Sequence, residues 1–260
     1  MCIRDSYCAP EVLERLEAEK AVMAAQGPRP AMAIIGEPTR MRVIEGHKGC
    51  FEYTTRFTGL EGHGSAPDLG VNAAEYAVRF VARLMELREH LKNRAPTDSR
   101  FEPPWTTLSV GRISGGVAHN VIVGKAEVDW EMRPVQAADL AFVNDNMQQY
   151  IHETLIPAMR QVYPAADIST EIIAEICGLN PMPENAARQL VSELTGANSA
   201  DLVAFGTEAG LFQGLGLSAV VCGPGSIAQA HKPDEYVALD QLSACLEMLT
   251  GLGRKLHGAA

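Results

Sequence analysis

The run Val221–Cys222–Gly223–Pro224–Gly225–Ser226, continuing to His231–Lys232–Pro233–Asp234–Glu235–Tyr236, holds the residue types best suited to chemistry. Leu217 to Cys222 is a short apolar run bounded by glycine, which predicts a buried strand. Gly223, Pro224 and Gly225 turn that strand into a loop carrying His231. A histidine placed after a buried strand of an α/β sheet stands where such sheets bind ligands. Its imidazole suits a divalent zinc or cobalt ion; a hydrogen-bonded loop histidine is the plainer alternative. A second candidate is Glu37, in Gly36–Glu37–Pro38–Thr39 after the short apolar run Ala31 to Ile35. Proline after an acid at a strand end makes a rigid turn. That turn presents either a metal carboxylate or a solvated acid. A third is His63, whose flanking glycines in Gly62–His63–Gly64–Ser65–Ala66–Pro67 leave the imidazole exposed.

These groups need elements to hold them. Lys48 to Gly59 alternates over its length with aromatic and threonine residues, which predicts a strand with one wet face. Asn72 to Leu91 places Tyr76, Phe80, Leu84, Leu87 and Leu91 at helical spacing. Strands are predicted at Thr107 to Ile113, Ala126 to Arg133 and Asp167 to Glu175. A helix capped by Asp139 is expected to run to about Met159. Strand–helix–strand–strand–helix–strand is the split βαβ, ferredoxin-like order, here spanning about Gly46 to Cys177. Its free sheet edge could pair across a two-fold axis. Before it, Pro10 to Ala25 reads as an amphipathic helix. After it come a helix at Glu184 to Thr195, a strand at Leu202 to Phe205, a short helix at Thr207 to Gln213, the strand described above and a helix at Ala238 to Leu256.

The bulk numbers narrow the class. A chain of 260 residues, 47% hydrophobic and 21% charged, can bury a full globular core. No run of eighteen apolar residues suggests a membrane span, and a net charge of −10 argues against nucleic acid. The six cysteines form no CxxC pair, so a reducing, cytoplasmic setting is the simpler expectation. Cys50, Cys222 and Cys245 read as buried free thiols; His47, His90, His152 and His257 read as surface residues. Met1 to Ser6 lacks the apolar core of a signal peptide and reads as a translated adapter scar, which suggests a truncated start.

With these pieces in order, the chain resembles the two-metal amino-acid deacylases related to aminoacylase and carboxypeptidase G2. The resemblance runs from about Ala31 onward. It rests on Gly36–Glu37–Pro38–Thr39, Gly62 to Pro67, His119–Asn120–Val121–Ile122, Phe205–Gly206–Thr207–Glu208–Ala209–Gly210 and Gly223 to Tyr236. It implies an α/β fold in which residues 1–45 and 178–260 are parts of a metallopeptidase-type catalytic domain. Residues 46–177 would be an inserted ferredoxin-like lid and dimerisation domain. It implies Glu37 and His231 as metal ligands, and His63 as a catalytic donor to the oxyanion that reaches a partner subunit's site. Asn120, Arg133, Gly225 and Ser226 become substrate-binding residues, with the arginine suited to a carboxylate. The implied cofactors are two divalent ions, zinc or cobalt. The implied reaction is amide hydrolysis of an N-acyl amino acid, in a homodimer acting on neither nucleic acid nor membrane.

The last two pieces lean toward the branch that converts N-acetyl-L-ornithine to ornithine and acetate, a step of arginine biosynthesis. The alternatives are the branch that desuccinylates succinyl-diaminopimelate or another acyl-amino-acid hydrolase or peptidase of the family. A non-catalytic dimerisation module is the alternative of another class. The family's His-x-Asp motif, bridging aspartate and Glu-Glu pair find no match here. Two of five metal ligands are then present, and weak metal binding with no turnover is expected of this chain alone.

Overall fold

The computed structural model describes residues 31–230 and 232–258. The helix expected at Pro10 to Ala25 and the side chain of His231 lie outside the described residues. The chain divides into two compact units, residues 1–49 with 176–260, and residues 50–175. No helix among the described residues is long and apolar enough to cross a membrane.

The first unit is built on β1 (Met32–Ile35), β2 (Ile44–His47), β9 (Asp201–Val203) and β10 (Ser218–Val221), in the order β1-β10-β2-β9. β1 and β10 run parallel, with Ile35 opposite Val221, so both chains leave the sheet at the same edge. Side chains of β10 alternate between two cores, as strand geometry requires. Val220, with Cys222 beyond the strand, packs with Ala187, Val191 and Met248, from α4 (Ala186–Thr195) and α6 (Leu239–Gly258). Ala219 and Val221 pack with Ile44, Leu179 and Ala209, the last from α5 (Ala209–Gly214). Asn185 caps α4, accepting from the Arg188 N–H at 3.0 Å, and Gly196 ends it at φ 72°.

β2 escaped the sequence reading. Its residues Ile-Glu-Gly-His include one clearly apolar side chain, yet all four are buried between β10 and β9. Polar pairing makes this burial tolerable. Arg188 Nη1 donates to Glu45 Oε2 at 2.5 Å. His47, expected at the surface, is 1% exposed. Its Nδ1 lies 2.8 Å from the Lys48 carbonyl and its Nε2 3.0 Å from Thr207 Oγ1. Thr207 Oγ1 also accepts the Ala209 N–H at 3.1 Å. These contacts suit a neutral ring that donates from Nδ1 and accepts at Nε2. Burial pulls the imidazole pKa down to about 4, against a smaller opposing effect of the Lys48 carbonyl.

The second unit has the sheet order β5-β7-β3-β8, from β3 (Cys50–Thr58), β5 (Thr107–Gly115), β7 (Lys125–Arg133) and β8 (Asp167–Ile176). This is the ferredoxin-like arrangement. Its apolar face carries Phe51, Tyr53, Phe57, Val128, Trp130 and Met132. Against it lies α1 (Ala73–Lys92), whose Ala73, Ala77, Phe80, Leu84, Leu87 and Leu91 recur every three or four residues. Asn72 caps α1 by accepting from the N–H groups of Ala74 and Glu75. The opposite face is charged: Arg112 bridges Glu127 and Asp129, and Arg56 bridges Glu127 and Glu171.

The second helix of this unit runs as α2 (Ala137–Tyr150), a π-type turn (Ile151–Leu155) and α3 (Ile156–Arg160). Gln136 holds the N-cap position that Asp139 was expected to fill. Asp139 sits inside the first turn, fully buried, and accepts from Thr106 Oγ1 at 2.6 Å, Arg94 Nε at 3.0 Å and Gln136 Nε2 at 3.2 Å. It ties the helix to the segment between α1 and β5 instead of closing the helix end.

Candidate functional site

Glu37 follows the C-terminal end of β1, and Gly223 to Ser226 follow the C-terminal end of its parallel neighbour β10. Parallel pairing therefore brings two sequence-distant turns to one sheet edge, the position where open α/β sheets bind ligands. The turns are stitched together. Thr39 N–H donates to the Gly223 carbonyl at 3.2 Å, and Gly223 N–H donates to Thr39 Oγ1 at 3.1 Å. Arg40 N–H donates to the Gly225 carbonyl at 2.7 Å, and Arg40 Nε donates to Ser226 Oγ at 3.0 Å. Arg40 and Met41 both adopt left-handed backbone, at φ 56° and 57°, which is costly for residues with a Cβ. Gly225 takes φ 88°, a conformation that suits glycine. Glu37 is half-buried in this edge.

In the second unit, the two-residue strands β4 (Gly62–His63) and β6 (Val121–Ile122) pair antiparallel, with His63 opposite Val121. Gly64 N–H donates to the Asn120 carbonyl at 2.6 Å, so His63 and Asn120 come together on one ribbon. His63 Nδ1 lies 2.7 Å from Ser65 Oγ and accepts the Ser65 N–H at 3.2 Å. With Nδ1 used as an acceptor, the neutral ring carries its proton on Nε2. His63 is exposed. His119, read as structural, is exposed in the turn before β6.

Arg133 closes β7 in a different cluster. Its Nε and Nη2 donate to both carboxylate oxygens of Glu131, at 3.1 and 2.9 Å. Glu131 stands directly opposite Glu52 on β3, and Cys50 lies on the same side of that strand. Cys50, Glu52 and Glu131 offer ligand atoms within 4.8 Å of one another, the one such group found among the described residues. Two facts favour an arginine-neutralised cluster over a metal centre. The guanidinium already occupies both oxygens of Glu131, and burial pushes the Cys50 thiol up to about 11, keeping it protonated. Cys222 is likewise buried and pushed up to about 11, whereas Cys245, expected to be buried, is half-exposed. Strand alternation could have shown Cys50 beside Glu52, but the Glu52–Glu131 pairing needs the β3–β7 register.

For a divalent ion, the donor chemistry of Glu37 fits: a hard carboxylate oxygen on a turn held by backbone and side-chain bonds. His231, the other expected ligand, is outside the described residues.

Comparison with known proteins agrees with this layout. Residues 45–159 match the family model of the peptidase dimerisation domain, M20_dimer. An acetylornithine deacetylase of Klebsiella pneumoniae (strain 342) is 36% identical over 222 residues, 85% of this chain and 56% of that protein. One from Myxococcus xanthus is 36% identical over 235 residues, 89% of this chain and 59% of that protein. Among solved structures, a tripeptidase from Staphylococcus aureus superposes with a TM-score of 0.64 at 16% identity, over 85% of this chain and 56% of the other. An aminopeptidase from Bacillus cereus gives 0.63 at 16% identity, over 90% and 59%. At such identities these two structures speak for the fold alone. The chain spans little more than half the length of the curated relatives it matches. Residues 45–159 thus match a peptidase dimerisation module of the M20 type, and the chain as a whole is similar to acetylornithine deacetylases on both sides of that module.

Proposed function

We propose that this chain forms part of a metal-dependent amidohydrolase that cleaves N-acetyl-L-ornithine to L-ornithine and acetate. The observation that carries the reading is the Glu37 turn. It lies at the C-terminal ends of parallel strands, bonded to the Gly223–Ser226 loop, in a chain 36% identical to acetylornithine deacetylases. Glu37 and His231 would hold a divalent ion, zinc or cobalt. Such ions, two in the full family site, supply an activated water and polarise the acyl carbonyl.

The chain's own side chains would do the rest. His63, with its proton on Nε2, donates to the oxygen that gains charge; removing such a donor costs about 10²–10³ in rate. Arg133 grips the substrate carboxylate by bidentate pairing once it shares or releases Glu131, and Asn120 orients the substrate beside His63. Gly225 and Ser226 line the loop before His231.

The edge strand β5 and helix α1 support a homodimer. A groove of about 470 Å³ runs between them, lined by Val81, Met85, Val110 and Ile113, with Met85 49% and Ile113 52% exposed. An edge left unpaired among the described residues invites pairing with a second copy, and the matching family model is that of a dimerisation domain.

None of the seven histidines begins a His-x-Asp motif. The chain alone is therefore expected to be inactive. A hydrolysis assay tests the reading. The chain is mixed with a polypeptide covering the part of the Myxococcus xanthus relative that it does not match, and offered N-acetylornithine, succinyl-diaminopimelate and N-acetylmethionine with zinc or cobalt. Ornithine released fastest, and by the mixture alone, is the expected result. Faster cleavage of either other substrate would reassign the specificity. Turnover by the chain alone would overturn its expected inactivity.

A further inference from the structure

Thr39, two residues after Glu37, is 7% exposed and uses both capacities of its hydroxyl. Oγ1 donates to the Arg42 carbonyl at 2.7 Å and accepts the Gly223 N–H at 3.1 Å. The first bond closes the turn of residues 39–42 across Arg40 and Met41, the two residues in left-handed backbone. The second crosses 184 positions of sequence to the loop after β10. The main chain follows the same path. The Thr39 and Met41 N–H groups both donate to the Gly223 carbonyl, at 3.2 and 3.0 Å, and Thr39 forms an antiparallel bridge with Ser226. Gly223 lies directly against the Gly36 and Glu37 carbonyl oxygens, with no room for a Cβ.

One hydroxyl thus serves a strained turn and a docked loop together. Left-handed backbone at two successive residues with a Cβ persists only where the surroundings over-determine it, and Thr39 Oγ1 is one of the groups that do so. Without the hydroxyl, the buried Gly223 N–H loses its acceptor. Pro38 alone separates Thr39 from Glu37, and its ring fixes φ, so a shift of Thr39 is passed on to the carboxylate. Metal–ligand distances tolerate deviations of only about 0.2 Å.

We propose that Thr39 is a positioning residue for the metal carboxylate. Its hydroxyl sets where Glu37 stands against the Gly223–Ser226 loop, and through that placement it sets the affinity for a divalent ion. The proposal rests on the reading of Glu37 as a metal ligand.

The test is calorimetric titration of zinc into the 260-residue chain and its variants, each checked for folding by circular dichroism. Thr39→Val keeps the shape of the side chain and removes the hydroxyl; Thr39→Ala is the second hydroxyl-free variant if the valine does not fold. Thr39→Ser keeps the hydroxyl. Leu211→Ala truncates a core residue of α5 and shows what lost stability does by itself. Thr39→Val should bind zinc about tenfold more weakly, Thr39→Ser within about twofold of the parent, and Leu211→Ala as the parent does. In the ion-free chain, the Gly223 amide should exchange with solvent at least about tenfold faster in Thr39→Val and at the parent's rate in Thr39→Ser. Parent-like zinc affinity in Thr39→Val, no recovery in Thr39→Ser, an equal loss in Leu211→Ala, or unchanged Gly223 exchange would overturn this proposal alone. A parent chain that binds no zinc would overturn the metal reading of Glu37 and this proposal with it.

Discussion

Acidification from pH 7 to pH 4 is expected to remove about 3 kcal/mol of folding stability through His47 alone. The ring's pKa is about 4 in the folded chain, against 6.5 for an ordinary histidine. A base whose folded pKa is depressed favours folding while it stays neutral. Its contribution is complete above pH 6.5 and falls by about 1.4 kcal/mol per pH unit toward pH 4. Below pH 4 both states bind the proton and the loss stops. The structural cause is the burial of His47 on β2, which outweighs the opposing effect of the Lys48 carbonyl. Urea unfolding at several pH values, for the chain and for His47→Gln, isolates this residue from the carboxylates that titrate nearby in pH. The stability gap between the two proteins should close by about 3 kcal/mol from pH 7 to pH 4. Parallel curves would show that His47 is not held neutral.

Gly223→Ala should cost about 3 kcal/mol or more, at the upper end of overpacking penalties. An ideal Cβ at Gly223 would stand 2.1 Å from the Gly36 carbonyl oxygen and 2.6 Å from that of Glu37. Both obstacles are backbone, so no side-chain rotation relieves them. The turns must separate, and the bonds between Thr39 and Gly223 go with them. Gly214→Ala is the matched control. It lies in α5 with nothing within 4 Å of its Cβ position, and a helical alanine there should add about 0.5–1 kcal/mol. Thermal or urea unfolding of both variants gives the comparison. A Gly223→Ala protein as stable as its parent would mean that the Glu37 turn does not lie against the β10 loop.

The fold class was legible wherever burial is apolar and periodic. α1 repeats its core residues every three or four positions, β7 alternates cleanly, and β3 places Phe51, Tyr53 and Phe57 on one face. β2 was not legible, because Glu45 and His47 are buried through Arg188 and Thr207, partners about 140 to 160 residues away. No local pattern announces such a strand. Asp139 shows the same limit on a smaller scale. Its type and place suggested a cap, and two distant donors, Arg94 and Thr106, drew it inside together with the neighbouring Gln136. At the candidate site, the strand end and proline around Glu37 were visible, but not the parallel β1–β10 pairing that sets it beside Gly223–Ser226. The hold of Glu131 on Arg133 could have been anticipated, since residues two apart on a strand share a face.

Calorimetric titration of zinc into the chain, alongside Glu37→Ala and His231→Ala, addresses the metal claim most directly. Two of the family's ligands should give weak binding of one ion, with a dissociation constant above about 1 µM. Each variant should bind at least about tenfold more weakly, the loss of one of two coordinating groups. Unchanged affinity in Glu37→Ala, or tight binding of two ions by the chain alone, would contradict the assignment of this sheet edge as the metal site.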